Sequence, residues 1–441
     1  MSSQTVAYIV GVILVFVGIL VSIGLHEIGH MVPAKLFGVR VSQYMVGFGP
    51  TVWSRKKGET EYGLKAIPAG GYVRLIGMIP PESEVKPVKG TGWAARVIED
   101  TRLSSVEEME PGDEKRAFYL LSWWKKVIVM AGGPMMNLLI AILIFTGISV
   151  VHGVPTATPT VGAVVDCVQA VDATGPCTPT DPKSAAAAAG LQEGDVILSA
   201  DGHPIDDWAT LSAMIREHAG VPMTLVVDRG GQTVTLTATP TPADRAIYDA
   251  TGRTVMNADG TIATERVGFL GMAPAVTTQR QDLGYGSAQT FHYLGATTVL
   301  VTHLPQYVYH AGRTALGLEQ RDQQGLMSVV GVGRIAGDIA SIDVDGYTFG
   351  DRISDLLGLV AALNLALFVF NMIPLLPLDG GHIASALWQA VKNGWARVRA
   401  LPRPAPVDVA RMMPIAYGVF ALLLGMGLLL MYVDVVDPIQ I

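Results

Sequence analysis

Four stretches of this 441-residue chain contain no Asp, Glu, Lys or Arg: 7–25, 130–151, 356–378 and 412–433. Each is long enough to cross the hydrocarbon core of a bilayer, which takes about 20 apolar residues. A wholly soluble chain is thereby excluded, in keeping with 50% apolar residues and a mean hydropathy of +0.40. A basic excess is missing too. The net charge is −7, which leaves no electrostatic footprint for nucleic acid. Internal repeats are absent, and the only low-complexity run is the short "AAAAA" at 185–189. The first apolar stretch has no Lys or Arg before it and no small-residue cleavage site ahead of His26, so it reads as a retained span rather than a signal peptide.

Lysine is missing from 153–354 except at Lys183. The flanking segments are rich in Lys and Arg. Lys35, Arg40, Arg55, Lys56, Lys57, Lys65, Lys115, Arg116, Lys125 and Lys126 lie between the first two spans, and Lys392, Arg397, Arg399, Arg403 and Arg411 between the last two. Positive charge stays on the cytosolic side. The layout expected is therefore two basic segments inside, 153–354 outside, and both termini outside. The chain's two cysteines, Cys167 and Cys177, both fall in the outward region. An oxidising compartment permits a disulfide there, worth about 2–3 kcal/mol in the loop-entropy view. Two free thiols are the other reading. A Cys/His metal site lacks a third ligand at suitable spacing.

Within the outward region, "TVGAVVDCV" reads as a strand and "AGLQEGDVILSADGHPI" as turn, strand and Asp-Gly turn. "DWATLSAMIREH" has helical periodicity with Asp207 as N-cap. "MTLVVDRGGQTVTLTATP" forms two β-branched strands around a Gly-Gly hairpin turn. This order over 160–242 resembles a bacterial PDZ domain. The resemblance implies binding of peptide ends by strand addition. The groove is expected between the strand at 161–165 and the helix at 208–218. A spacer domain without a ligand is the plainer alternative.

The stretch "VSIGLHEIGHMV" places His26, Glu27 and His30 at the end of an apolar span. Two histidines four apart share one helix face and can bind one Zn²⁺, with the adjacent glutamate as general base on a water. Ionisable groups at membrane depth face the protein interior and carry function. A third ligand is available in "NMIPLLPLDGGH", where Asp379 ends another span and Pro374, Pro377, Gly380 and Gly381 break the helix. The first and third spans run the same way, so His26, His30 and Asp379 reach similar depth near the cytosolic leaflet. Two histidines and a carboxylate suit zinc.

"HEIGH" in a first span with "PLDGG" ending a later one resembles the site-2 protease family of intramembrane zinc metalloproteases. The bacterial group with a PDZ domain between its second and third spans is the most similar. "YGLKAIPAGGYVRLIGM" at 62–78 resembles that group's membrane-dipping β-loop, which implies substrate contacts for Gly70, Gly71 and Tyr72. "AGGPMMN" at 131–137 resembles the start of the second span. Asn371 matches an asparagine implicated in handling the substrate strand, and His382 reads as a structural histidine.

The fold implied is an α-helical polytopic membrane protein with four transmembrane helices, a membrane-associated β-loop and an extracytoplasmic PDZ-like α+β domain. The expected divisions are 1–33 (first helix), 34–126 (cytosolic, with the β-loop), 127–152 (second helix) and 160–242 (PDZ-like). They continue with 243–354 (extracytoplasmic extension and linker), 355–383 (third helix), 384–411 (cytosolic loop) and 412–433 (fourth helix). The resemblance further implies a multi-pass protein of the cell inner membrane. Its substrates would be single-span membrane proteins of the anti-sigma-factor kind, already shortened outside. A PDZ membrane scaffold with a non-catalytic metal site is the alternative, and a metal transporter a third. Glu27 discriminates against the scaffold, which needs no carboxylate beside the first histidine. A transporter would repeat polar residues along several spans, but the fourth has none and the second only Asn137, Thr146 and Ser149. The stretch 243–290 matches nothing assignable.

Overall fold

The structure is a computed structural model describing residues 2–88, 90–168, 177–178, 181–248, 254–255, 257, 261–322, 325–402 and 404–439. The first apolar run becomes α1 (Ser3–Leu36), opened by Ser2, whose hydroxyl accepts from the Thr5 N–H. It continues through "HEIGH" without a break. Two long strands follow, β1 (Val41–Lys57) and β2 (Thr60–Leu75), and then α2 (Trp93–Glu107) and α3 (Trp123–Gly147). Next come β3 (Val154–Val164), α4 (Ala185–Ala189), β4 (Val196–Ala200), β5 (His203–Pro204) and α5 (Trp208–Glu217). After them lie β6 (Met223–Arg229), β7 (Gln232–Ala238), β8 (Thr241–Ala246), β9 (Thr264–Phe269) and β10 (Met272–Gln279). The chain ends with α6 (Leu283–Thr302), α7 (Leu304–Ala315), α8 (Val329–Ser341), α9 (Phe349–Asn371), α10 (Asp379–Val398) and α11 (Met413–Val436). Two compact units result, Ser149–Asp282 and the remainder on either side of it.

Four helical segments are long and apolar enough to cross a membrane: Ser3–Leu36, Trp123–His152, Phe349–Asn371 and Val409–Val436. The chain is a polytopic membrane protein with a β-rich unit. Helix directions follow from paired contacts. Gly18 stands against Val360, and four residues on in both helices the Asn364 amide donates to Ser22 Oγ at 2.9 Å, so α1 and α9 are parallel. Gly29 meets Gly132 while His26 meets Asn137, so α1 and α3 are antiparallel. Glycine is required where α1 crosses α3. A Cβ on Gly29 would lie 2.2 Å from Gly132 O, and one on Gly132 would lie 1.9 Å from Gly29 O. Small residues of this kind let membrane helices approach backbone to backbone.

The stretch expected as an extracytoplasmic extension, 243–354, divides at 282. Its second part is helical and packs on the membrane helices. In α6, Gly286 abuts Thr146 and the Tyr293 ring lies tilted against Phe145 of α3. In α8, Gly337 receives the Tyr8 ring and Gly333 faces Val12, so α8 runs antiparallel to α1. Neither helix announces itself as a span. Glutamine, threonine and histidine interrupt the apolar run of α6, and α8 has only 13 residues with three glycines. The expected loop 384–411 likewise begins as helix, because α10 runs to Val398. Asp434 near the end of α11 pins α8. Its buried carboxylate accepts from the Arg321 guanidinium and from the Ser328 N–H just ahead of that helix.

In the smaller unit the main sheet runs β10-β3-β4-β6-β7, with β5 beside β4. Ile197, Met223 and Leu225 from its strands and Leu211 from α5 are fully buried together. Asp207 caps α5 by accepting from the Thr210 N–H at 2.7 Å, and Gly230–Gly231 turn β6 into β7. Cys167 and Cys177 are disulfide-bonded, with Cα atoms 5.9 Å apart. On one side of the strand expected to border the groove, β10 pairs along β3 from Val164 to Val154; on the other, β4 pairs it at Thr160. The outer edge of the sheet on the first side belongs to β10, within the stretch 243–290 left unassigned from the sequence.

The carboxylate of Asp195 is buried and takes both Nε and Nη2 of Arg229 at 2.7 Å, plus the Gln192 N–H. The Arg229 hydrogen bonds hold its pKa below the ordinary carboxylate value despite burial. A depressed folded-state pKa contributes stability that is present above the unfolded value and lost as pH falls through the folded one. Asp195→Asn is therefore expected to destabilise this unit by about 1.5–3 kcal/mol at pH 7. Below about pH 4 the difference from wild type shrinks. Thermal unfolding of both proteins at the two pH values checks this.

Candidate metal centre

The centre assembles where α1, α3 and the start of α10 meet. His26 and His30 lie one turn apart on α1 and turn their Nε2 atoms towards each other at 3.2 Å. Asp379 Oδ2 lies 3.4 Å from each. Four-coordinate zinc with ligands at about 2.0–2.1 Å requires ligand atoms roughly 3.3–3.4 Å apart, so the observed triangle has the right size. The donor set fits as well. Asp379 Oδ2 is buried and makes no hydrogen bond among the described residues, which an anionic oxygen tolerates only beside a cation. His30 Nδ1 lies 2.8 Å from Val129 O. A carbonyl only accepts, so the proton sits on Nδ1 and the Nε2 lone pair faces Asp379.

Asp379 reaches this place because α9 stops at Asn371 and the chain turns through 372–378 into α10, whose first residue it is. The turn tolerates no side chain at the glycines that follow. A Cβ on Gly380 would sit 2.2 Å from Ile373 O, and one on Gly381 2.6 Å from Leu376 N.

A cavity of about 850 Å³ opens on the three residues. Glu27 lines it, as do Gly70, Gly71, Tyr72 and Val73 of β2, Asn371 and His382. Every site residue expected from the sequence, apart from the two cysteines in the smaller unit, thus falls in this wall. His382, expected to be merely structural, shares it. β2 passes close over Glu27: a Cβ on Gly71 would lie 3.1 Å from Glu27 Cγ. Residues 71–75 form an outer strand of the hairpin. The 43–46 part of β1 separates them from 61–64. Gly70 has φ +130°, and a Cβ there would strike the Phe48 ring at 2.7 Å. Tyr44 fixes the hairpin to α1 by donating to Gly24 O at 2.8 Å.

Two contributions from α3 were not assigned from the sequence. Gly133 lies against the imidazoles: a Cβ there would fall 2.2 Å from His30 Nε2 and 2.7 Å from His26 Nε2. Asn137, fully buried, places its amide 3.1 Å from His26 Nδ1. Both stand in the quoted "AGGPMMN", whose Gly-Gly pair inside an apolar span signals close backbone approach. One sequence does not say which helix approaches.

A membrane-embedded His-His-Asp triad with a glutamate beside it defines a metalloprotease of the membrane-spanning class. The chain matches the model of Peptidase family M50 over residues 14–403. It is 34% identical over 446 residues to "Zinc metalloprotease Rip1" of Mycobacterium tuberculosis, covering 98% of this chain and 99% of that one. It is 28% identical to "Metalloprotease MmpA" of Caulobacter vibrioides, over 84% of each chain. It is 25% identical to "Zinc metalloprotease RasP" of Bacillus licheniformis, over 83% of this chain and 87% of the other. The chain belongs to peptidase family M50, the site-2 protease family of intramembrane zinc metalloproteases. It is a zinc-dependent metalloendopeptidase.

Proposed function

We propose that this protease cleaves the transmembrane segments of single-span membrane proteins, of the anti-sigma-factor kind, with His26, His30 and Asp379 as zinc ligands and Glu27 as general base. The observation that carries the reading is one cavity in the membrane unit shared by the triad, Glu27 and an edge strand at 70–75. An intact helix shields its carbonyls. A segment that unwinds can pair its main chain with the edge of β2, as strand addition does elsewhere. The side-chain amide of Asn371 stands ready for groups freed by unwinding.

Zinc supplies Lewis acidity, activating water and polarising the scissile carbonyl. Glu27 takes the proton as the water oxygen attacks the carbonyl carbon. It returns that proton to the nitrogen as the C–N bond breaks. The close passage of Gly71 holds the Glu27 side chain in place, and the apolar wall formed by Phe16, Ile19 and Ile23 keeps bulk water away.

The smaller unit is read as an extracytoplasmic PDZ-like domain of an inner-membrane protein, receiving peptide ends at the open edge of β10. Positive charge between the first two spans supports this orientation. A membrane-impermeant maleimide on cells stripped of any outer barrier is expected to label Glu193→Cys but not Ser104→Cys, two exposed positions. The reverse pattern would invert the layout. For the reaction, purified protein in liposomes with a single-span substrate is expected to give products whose new termini, read by mass spectrometry, lie inside the apolar segment. Cuts confined to the flanking soluble parts would reject the reading.

A further inference from the structure

His26 and His30 use the same ring nitrogen towards the centre. If both Nε2 lone pairs are to face a cation, both ring protons must sit on Nδ1, and each Nδ1–H needs an acceptor. For His30 that acceptor is Val129 O at 2.8 Å. For His26 the neighbour is the Asn137 side-chain amide, with Nδ2 placed 3.1 Å from Nδ1. Asn137 has no exposed surface, and its Oδ1 is buried without a hydrogen-bond partner among the described residues.

The two ends of an amide have nearly the same shape, so turning it over moves nothing else. The two orientations differ in chemistry. With Nδ2 on His26, the amide donates to Nδ1 and forces the ring proton onto Nε2. That proton would point at His30 Nε2 and Asp379 Oδ2, where no lone pair would then be left for a metal. With Oδ1 on His26, the amide oxygen accepts the Nδ1–H. The orphaned oxygen gains its partner, Nδ2 takes the place the oxygen leaves, and Nε2 is free. Gly133 and Asn137 are four apart on α3 and so share one face. One makes room for the imidazoles and the other meets His26.

We propose that Asn137 is the positioning residue of His26: its Oδ1 accepts the Nδ1–H and fixes the tautomer and ring direction in which Nε2 binds the metal. The proposal rests on the ligand set given above. Its functional consequence is metal retention, since a ligand free to change tautomer holds zinc less well.

The test is competition for Zn²⁺ between the detergent-purified, metal-stripped full chain and a chromophoric chelator. Asn137→Leu keeps the size and removes the acceptor, and is expected to weaken zinc binding by about 10–100-fold. Asn137→Asp cannot donate but accepts well, and is expected to bind within a few-fold of wild type or more tightly. A merely structural role predicts the opposite for the aspartate variant, because a buried charge would harm packing at least as much as leucine does. Wild-type affinity in the leucine variant overturns the proposal, as does an aspartate variant weakened tens of fold. Should the leucine variant fail to fold, the aspartate variant against wild type still decides. His26→Ala and Asp379→Ala run alongside. If both keep wild-type affinity, the ligand set fails and this proposal with it. If both lose zinc while Asn137→Leu keeps it, only this proposal fails.

Discussion

Replacing Glu27 by glutamine is expected to slow proteolysis by about 10²–10⁴-fold, the usual contribution of a general base. The change removes one ionisable oxygen and keeps the side chain's size. Glu27 is outside the His-His-Asp triangle, so zinc should stay bound. It lies against Gly71 through its Cγ, which glutamine keeps, so the hairpin should hold its place. Cleavage of a tagged single-span substrate by purified wild type and variant, both zinc-loaded, measures the effect. Equal rates would remove Glu27 from the chemistry.

The second large effect is expected at a residue with no functional group. Gly133→Ala puts a methyl 2.2 Å from His30 Nε2 and 2.7 Å from His26 Nε2. Neither imidazole can retreat while it also keeps its place in the triangle. α3 could move back only by giving up the close packing of Gly132 against Gly29. One or both rings must leave the centre. Zinc affinity is expected to fall by about 100-fold or more, beyond what losing an outer hydrogen bond costs. Gly147→Ala on the same helix meets nothing within 4 Å and serves as the control, with zinc content unchanged. Elemental analysis of both purified variants distinguishes a local clash from a general intolerance of alanine in α3.

The centre was legible in the sequence because its chemistry conflicts with its setting. His26, Glu27, His30 and Asp379 are ionisable groups at the ends of apolar spans, and the spans' alternating directions bring them to one depth. The structure shows the same relation without reference to a membrane, in the parallel pairs Gly18–Val360 and Ser22–Asn364. What the sequence hid was contact between helices. Gly133 and Asn137 stand in a stretch that resembles the start of the second span, yet their partners on α1 are about a hundred residues away in the chain. The helices α6 and α8 were hidden for another reason. Polar residues interrupt the apolar run of α6, and α8 is short, glycine-rich and packed against α1. In the smaller unit, β10 comes from residues 272–279, far beyond the Gly-Gly hairpin that seemed to close the domain, and it takes the edge assigned to β3. Strand order depends on long-range pairing, which local periodicity does not encode.

The central claim is that His26, His30 and Asp379 hold the zinc while Glu27 only works beside it. Zinc per protein chain, measured by elemental analysis on detergent-purified wild type, Glu27→Gln and Asp379→Ala, tests it most directly. Wild type and Glu27→Gln are expected to carry equal zinc, and Asp379→Ala to lose most of it. Full zinc in Asp379→Ala, or its loss from Glu27→Gln, would contradict the account.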